Sequence, residues 1–497
     1  MNTKFLWGAA GSAFQIEGSL TKGGRGKSIW DVFQDKPGNI VDGSNADIAD
    51  NSYVQFKNDV LLLKTMGCNC YRFSISWTRI LPKGSGEINQ EGIDYYNKLI
   101  DFLIINDIIP IITLFHWDSP QDLESYGGWL DTTGTIVINF VNYANICFEN
   151  FGDRVEYWIT FNEAQTFAVT GYEQPYFAPG IGNENSISPY GYEYRVGHNI
   201  LLSHAYAVKS YRDNFQKIQK GKIGMTNNMD YVVPLTSCKK DKDAAYRYME
   251  FWGGWFYDPL FFGDYPDIMK INVGDRLPKF TNDEKILLKG SLDIMFLNHY
   301  TAFYAYNYDP EPGQVGWIYD IHAFKTYYKD GVIIGKETQS SWNHIVPYSP
   351  YGILKFYYDR YNINGYPGIS LQINNNVISI PVMITENGMA VKGEVQNSTY
   401  EECKNDTDRI DYYYGCLNSI GEAIQNFKLN FIGYTAWSLL DNFEWNSGFQ
   451  ARFGLHYVDF NFPYSNFRPR YPKDSVLWYS KYILNHPNGP TPNIQNK

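Results

Sequence analysis

Short apolar runs alternate with longer periodic stretches from one end of this chain to the other, and no other feature limits its fold as tightly. The short runs cover 5–15, 68–76, 108–117, 155–162, 222–231, 292–300, 382–386 and 431–437. Their length and their β-branched and aromatic content read as eight strands. The stretch 51–67 has apolar residues at Val54, Val60, Leu61, Leu63 and Met66 and stops on Gly67, a helix signature. The stretches 91–107, 135–151, 192–215, 351–361 and 409–427 are of the same kind. Strand followed by helix, eight times over, predicts a parallel (β/α)8 barrel. An open doubly wound sheet is the competing arrangement. The strand count and the absence of a G-x-G-x-x-G turn favour the barrel.

Nothing in the chain reads as a linker. The Pro-, Gly- and Asn-rich pieces at 180–189, 309–316, 365–376 and 391–406 are too short to separate domains. They read as βα loops on the C-terminal face of the barrel. The expectation is a single-domain α/β protein, a (β/α)8 TIM barrel with long βα loops over residues 1–488, followed by a loose tail at 489–497. With 497 residues, 44% of them hydrophobic, the chain can bury a large core.

Charge and composition narrow the function. A net charge of −11 argues against nucleic acid as a partner. No window has the length and apolarity of a membrane span. The six cysteines are scattered and the eight histidines lack metal-ligand spacing, so neither a metal nor another cofactor is expected. The first residues lack the order of a secretory leader, which favours a cytoplasmic chain, or a secreted one if this is a processed mature form. The 42 tyrosines and 13 tryptophans suit a core, and they also suit stacking on the apolar faces of sugar rings.

In a barrel, polar groups that close the apolar runs face the active site. The runs end in Gln15 and Glu17; in Arg72; in "LFHWD", with His116 and Trp117; and in "WITFNEAQTF", with Asn162 and Glu163. They end further on in "FLNHY", with Asn298 and Tyr300; in "ITENG", with Glu386; and in "WSLLDNFEW", with Trp437, Asp441, Glu444 and Trp445. Each has a bland alternative. A lone Glu after a strand is more often a helix N-terminal charge, a lone Arg a surface ion pair, and a lone His a satisfied core residue. Such explanations would have to hold independently at one strand end after another. Two carboxylates at facing strand ends, Glu163 and Glu386, have a familiar chemistry in the cleavage of a glycosidic bond. A cation such as Arg72 would keep one ionised, and burial beside that charge would keep the other protonated. Asn162 and Glu163 are adjacent, so both can face a cleft only if the strand ends or bulges there.

The ordered motifs "FLWGAAGSAFQIEG", "RFSISWTRILP", "TLFHWDSP", "TFNEA", "FLNHYT", "ITENG" and "WSLLDNFEWNSGFQARFGLHYVDF" resemble family 1 glycoside hydrolases over nearly the whole chain. The resemblance implies that Glu163 is the acid/base and Glu386 the nucleophile, with Arg72, Asn298 and Tyr300 supporting Glu386. It implies that Gln15, His116, Trp117, Asn162, Glu444 and Trp445 bind the nonreducing sugar, with Trp437 as its floor and Phe453 closing the subsite. Gln165 and Trp342 would border the leaving group. Intact Glu444 and Trp445 disfavour a phosphorylated sugar, and the presence of Glu163 disfavours a myrosinase-like branch. Three positions depart from the family pattern: Ala164 stands where proline is normal, Gln165 where tryptophan is frequent, and His299 where tyrosine is common. The implied substrate is a small-molecule β-glycoside, and the implied enzyme a retaining β-glucosidase acting on cellobiose, short cello-oligosaccharides and aryl or alkyl glucosides. A β-galactosidase or β-fucosidase of the same family is the alternative. A non-catalytic carbohydrate-binding barrel is disfavoured because both carboxylates are present.

Overall fold

The computed structural model describes residues 4–182, 191–363, 365–373, 376–461 and 467–492. Eight strands form a closed barrel: β1 (Leu6–Ala10), β2 (Cys70–Ser74), β3 (Ile109–Phe115), β4 (Tyr157–Asn162), β5 (Lys222–Asn228), β6 (Met295–Asn298), β7 (Val382–Glu386) and β8 (Phe431–Ala436). Each strand pairs in parallel with its neighbours in sequence, and β8 closes on β1 through Leu6 opposite Gly433 and Trp7 opposite Tyr434. Leu6, Cys70, Ile111, Ile159, Phe296 and Met383 form a buried cluster of their own, separate from the main core. Contributed by different strands, these side chains fill the lumen in the manner of a packed barrel.

The longer helices are α1 (Ser52–Thr65), α2 (Gln90–Ile105), α3 (Thr135–Phe151), α4 (Tyr192–Asn214), α5 (Lys239–Met249), α6 (Ser349–Tyr361), α7 (Thr407–Phe427) and α8 (Asp474–Asn485). Several bury an apolar stripe on their inner face. On α2 the stripe is Ile93, Tyr96, Leu99, Ile100 and Leu103, spaced three and four apart as a one-sided helix requires. Gly67 stops the first helix with φ +76°, a conformation that glycine adopts without strain. No helix of the described residues is long and apolar enough to cross a membrane.

The structure corrects several boundaries. The first strand ends at Ala10, not at residue 15, because Gly11 and Ser12 turn the chain into a short helix, Ala13–Ile16. Both pieces are buried, so apolarity continues across the break. The fifth strand ends at Asn228, and Tyr231–Pro234 starts a separate sheet with Ala302–Asn307 and Ala323–Thr326. The piece 365–376 precedes β7 and is not a βα loop. It carries the outer hairpin Ser370–Ile373 and Asn376–Ser379, with 364, 374 and 375 outside the described residues. Residues 183–190 of the 180–189 loop and 493–497 of the expected tail also lie outside them.

One buried network ties together the loops that follow β7 and β8. Asp441 accepts from Lys473 Nζ at 2.9 Å, Arg452 Nη1 at 2.8 Å and the Gly454 amide at 2.9 Å. Glu394 accepts from Arg409 Nη2 at 2.8 Å and Lys473 Nζ at 3.0 Å, and Asp406 pairs with Arg409. Burial works against the Asp441 charge, but Lys473 and Arg452 overcome it and hold the carboxyl below its usual range. Three carboxylates balance three cations, so no charge in this network lacks a partner. Asp441→Ala would leave Lys473 and Arg452 short of their shared counter-charge. The expected loss is about 3–5 kcal/mol of stability, read as a clear fall in thermal midpoint, and an unchanged midpoint would contradict it.

Candidate active site

The C-terminal ends of the strands converge on one cleft. At its base Arg72, from the middle of β2, has no solvent exposure. Its Nη1 pairs with Glu386 Oε1, its Nη2 donates to Asn162 Oδ1 at 2.6 Å, and its Nε donates to Thr113 Oγ1 at 2.9 Å. Tyr300 OH donates to the other Glu386 oxygen at 2.6 Å. Asn298 Nδ2 donates to Glu163 Oε1 at 2.7 Å and to Asn162 Oδ1 at 3.1 Å, and it lies close enough to Glu386 to help hold that charge. Thr385 fixes the orientation of this amide by donating to Asn298 Oδ1 at 2.8 Å. One amide therefore stands between the two carboxylates.

The local backbone explains how adjacent residues share a cleft. Register slips between Ile159 and Asn162 on the β4–β5 edge, and between Ile384 and Glu386 on the β6–β7 edge. Glu163 then takes a left-handed conformation, φ +47° and ψ +56°, ahead of the short helix Ala164–Ala168. The strand both ends and bulges, as the adjacency of Asn162 and Glu163 requires.

The two carboxylates differ electrostatically. Burial pushes Glu163 well above the usual range, and the Glu386 charge pushes it further. Burial raises Glu386 as well, but Arg72 and Tyr300 pull against it and the rise is smaller. Glu163 thus holds a proton more readily and Glu386 a charge. Burial, then the Glu386 charge, raises Glu444 from the ordinary 4.5 to about 8.

The remaining expected site residues surround this pair. Gln15 Nε2 donates to Phe443 O at 3.0 Å, Asn442 Oδ1 at 3.1 Å and Glu444 Oε2 at 3.3 Å, which places Gln15 and Glu444 side by side. His116 Nε2 meets Asn162 Nδ2 at 3.1 Å. Burial, then Arg72, holds His116 neutral, so Nε2 accepts and Nδ1 carries the proton; Nδ1 is buried and has no partner among the described residues. The His116 ring stacks against Trp437 and Trp445, with centroids 6.0 and 5.8 Å apart. Trp342, 38% exposed, stacks on buried Phe453 at 6.2 Å and meets Tyr300 edge-on at 5.3 Å.

Not every strand-end residue joins the cleft in the same way. Trp117 donates from its indole to Asn162 O at 2.9 Å and packs on Trp445 at 4.5 Å, bracing both. Glu17 turns away to Arg79 Nε at 2.6 Å and Tyr96 OH at 2.8 Å. His299 is also directed elsewhere, to Met229 O at 2.8 Å and Ser349 Oγ at 2.7 Å. Gln165 is 4% exposed, and among the described residues its side chain makes no hydrogen bond. Thr113, Thr385 and Asn442 position the named groups and were missed. Thr113 and Thr385 sit inside apolar runs, where a threonine reads as an ordinary β-branched strand residue.

The cleft and the barrel have close counterparts among known proteins. The family model for glycosyl hydrolase family 1 matches residues 1–488. β-Glucosidase 12 of Oryza sativa subsp. indica is 44% identical over 494 residues, covering 97% of this chain and 92% of the rice protein. A rice β-glucosidase variant solved in a covalent complex with Glc superposes with a TM-score of 0.88 at 40% identity, covering 96% of this chain and 97% of that one. A family 1 β-glucosidase from the fungus Humicola insolens, solved with glucose, gives a TM-score of 0.88 at 42% identity, covering 97% of each chain. The chain belongs to glycosyl hydrolase family 1 and is a glycoside hydrolase.

Proposed function

We propose that this enzyme is a retaining β-glucosidase that releases terminal nonreducing β-D-glucosyl residues from cellobiose, short cello-oligosaccharides and aryl or alkyl β-glucosides. The observation that carries the reading is the pair Glu163 and Glu386, bridged by Asn298, with surroundings that favour the proton more strongly on Glu163 than on Glu386. A single bridging amide supports the spacing of a retaining pair, about 5–5.5 Å, over the about 6.5–9.5 Å of an inverting one. Glucose as the sugar rests on the relatives, which are named β-glucosidases.

In the first step Glu386 attacks the anomeric carbon and the glycosidic C–O bond breaks. The Glu163 proton passes to the leaving oxygen. Glu386 is left bonded to the sugar and Glu163 is left charged. In the second step a water attacks the same carbon, Glu163 takes its proton, and the bond to Glu386 breaks. The β configuration is retained. Each proton accounts for one bond broken or formed, and no metal or cofactor enters. Arg72 and Tyr300 keep Glu386 ionised and aimed. Gln15, His116, Asn162 and Glu444 supply the hydroxyl contacts, with Trp437 and Trp445 as apolar faces.

Glu386→Ala should abolish turnover of an aryl glucoside. Added azide should restore part of it and yield the α-glucosyl azide; near-wild-type hydrolysis without azide would refute the assignment. Glu163→Ala should cost about 10²–10⁴-fold on glucosides with poor leaving groups and much less on activated aryl glucosides. If kcat/KM for an aryl galactoside exceeds that for the matching aryl glucoside, the preference for glucose is wrong. Glu444 adds a test by stability. Its folded pKa is raised, so its contribution is fully present below pH 4.5 and is lost as pH rises through about 8. In Glu444→Gln that loss disappears. The thermal midpoint of the variant, relative to wild type, should rise steadily from pH 5 to pH 8, while kcat/KM falls. A pH-independent difference between the two proteins would contradict the raised pKa.

A further inference from the structure

Tyr300 holds Glu386 from a position where regular sheet has already ended. β6 stops at Asn298, and the β6–β7 register slips just before Glu386. Past that point the His299 N–H still donates to Glu386 O at 2.9 Å. The carbonyls of His299 and Tyr300 are bound by side chains. Asn387 Nδ2 donates to His299 O at 2.6 Å and to Tyr412 OH at 2.7 Å. Tyr412 OH donates to Tyr300 O at 2.6 Å, and Tyr434 OH donates to Asn387 Oδ1 at 2.7 Å. Asn387, Tyr412 and Tyr434 have no solvent exposure.

The protons available allow one arrangement of this chain. Both carbonyls only accept, so the Asn387 NH2 must face His299 O and the single Tyr412 proton must go to Tyr300 O. The Tyr412 oxygen is then left to accept from Asn387, and Tyr434 must donate to the Asn387 oxygen. The chain runs one way, from Tyr434 through Asn387 and Tyr412 to Tyr300. It is anchored on separate elements, Tyr434 on β8 and Tyr412 on α7. Tyr300 OH closes it on Glu386 Oε2 at 2.6 Å. Buried tyrosines commonly bond whichever carbonyl lies near. Here the bonds land on two consecutive carbonyls beside Glu386. Tyr413, the next residue of α7, reaches Trp437 O at 3.2 Å and takes no part in the chain.

We propose that Asn387, Tyr412 and Tyr434 are positioning residues of the reaction, a one-way hydrogen-bond chain that fixes the backbone of Tyr300 and so keeps its hydroxyl on Glu386. None of the three can meet a substrate, since all are fully buried, so each acts through Tyr300. The effect reaches the chemistry by charge. Burial raises the Glu386 carboxyl, and Arg72 and Tyr300 pull against that rise. The Tyr300 bond acts in full only while its donor stays in line, and the chain supplies the restraint that the sheet no longer gives.

This inference rests on the β-glucosidase reading with Glu386 as nucleophile, and one set of pH profiles separates the two. kcat/KM for p-nitrophenyl β-D-glucoside is followed against pH in wild type, Tyr300→Phe, Tyr412→Phe, Tyr434→Phe, Tyr413→Phe and the double variant of Tyr300→Phe with Tyr412→Phe. The acid limb reports the ionisation of Glu386 in the free enzyme. Weakening a donor to the charged form raises that carboxyl, so the limb should move to higher pH by about 0.5–1 unit in Tyr412→Phe and in the same direction in Tyr434→Phe. Tyr300→Phe should move it at least as far, and adding Tyr412→Phe should move it no further. Tyr413→Phe, which removes an equally buried hydroxyl from the same helix turn, should leave the limb in place. The position of the limb does not depend on how much of a variant is folded. Tyr434→Phe decides the matter if Tyr412→Phe does not fold. An unmoved limb in Tyr412→Phe and Tyr434→Phe, additive shifts in the double variant, or an equal shift in Tyr413→Phe overturns the proposal and leaves the β-glucosidase reading standing. A wild type that does not cleave the glucoside, or a limb that Tyr300→Phe leaves in place, overturns both.

Discussion

The Arg72 guanidinium sits under the cleft with no solvent exposure, and Glu386 is its counter-charge. Removing either partner alone would strand the other charge in a buried site, which is the costly way to break such a pair. The pair also sets the state of everything around it. A second carboxylate beside an already charged one can enter this volume only with its proton, and that is the environment of Glu163. His116 is held neutral by burial and by the same cation. Asn162 is oriented by it too: its oxygen faces Arg72 and Asn298, which leaves its NH2 for His116. A single buried cation thereby favours the charged form of Glu386, adds to the burial that keeps His116 neutral, and orients the Asn162 amide.

Holding this arrangement requires backbone that regular strands do not supply. Three non-glycine residues in the cleft have positive φ: Trp117 at +74°, Glu163 at +47° and Trp445 at +52°. Each costs on the order of 1–3 kcal/mol and persists only where the surroundings over-determine it. Those surroundings are visible. The Trp117 indole is tied to Asn162 O, Glu163 N–H donates to Thr226 O, and Trp445 packs between Trp30 and Trp117. The loop carrying Trp445 is anchored in turn by the Asp441 network. The strain lies where β3, β4 and β8 give way to loops, so a stable barrel below supports a less stable rim above.

The barrel and the carboxylate pair were legible in the sequence because both repeat a simple signal. Eight buried runs of similar character leave few topologies, and a polar group closing most of them is conspicuous against apolar neighbours. Boundaries were less legible for a physical reason. Through 5–16 the chain is buried in both strand and helical turn, so composition cannot mark the switch at Gly11. Glu17 looked like a cleft residue because it also follows that run, but its partner Arg79 is 62 positions away and nothing local announces the pairing. The outer piece 365–376 was misplaced because loop composition carries no record of which end of the barrel it occupies.

The two sides of the cleft are built on different terms. On the side of Arg72, Asn162 and Gln15, most polar atoms are already satisfied by another cleft residue, so a change at one position disturbs several others. Such a network is rigid and demands a ligand of one shape. On the side of Gln165 the groups come from loops and from the outer sheet, and the Gln165 amide makes no hydrogen bond among the described residues. Ala164 belongs to this looser side. It occupies the first helical position, where the N–H has no partner within the helix and a proline would fit. A proline there would also restrict the residue before it, which is Glu163. With alanine, the acid residue keeps its left-handed geometry without that restraint, next to a polar wall. Variation among enzymes with this barrel should therefore concentrate on the leaving-group side, where a substitution changes one contact, and spare the sugar side, where it changes the charge state of the pair.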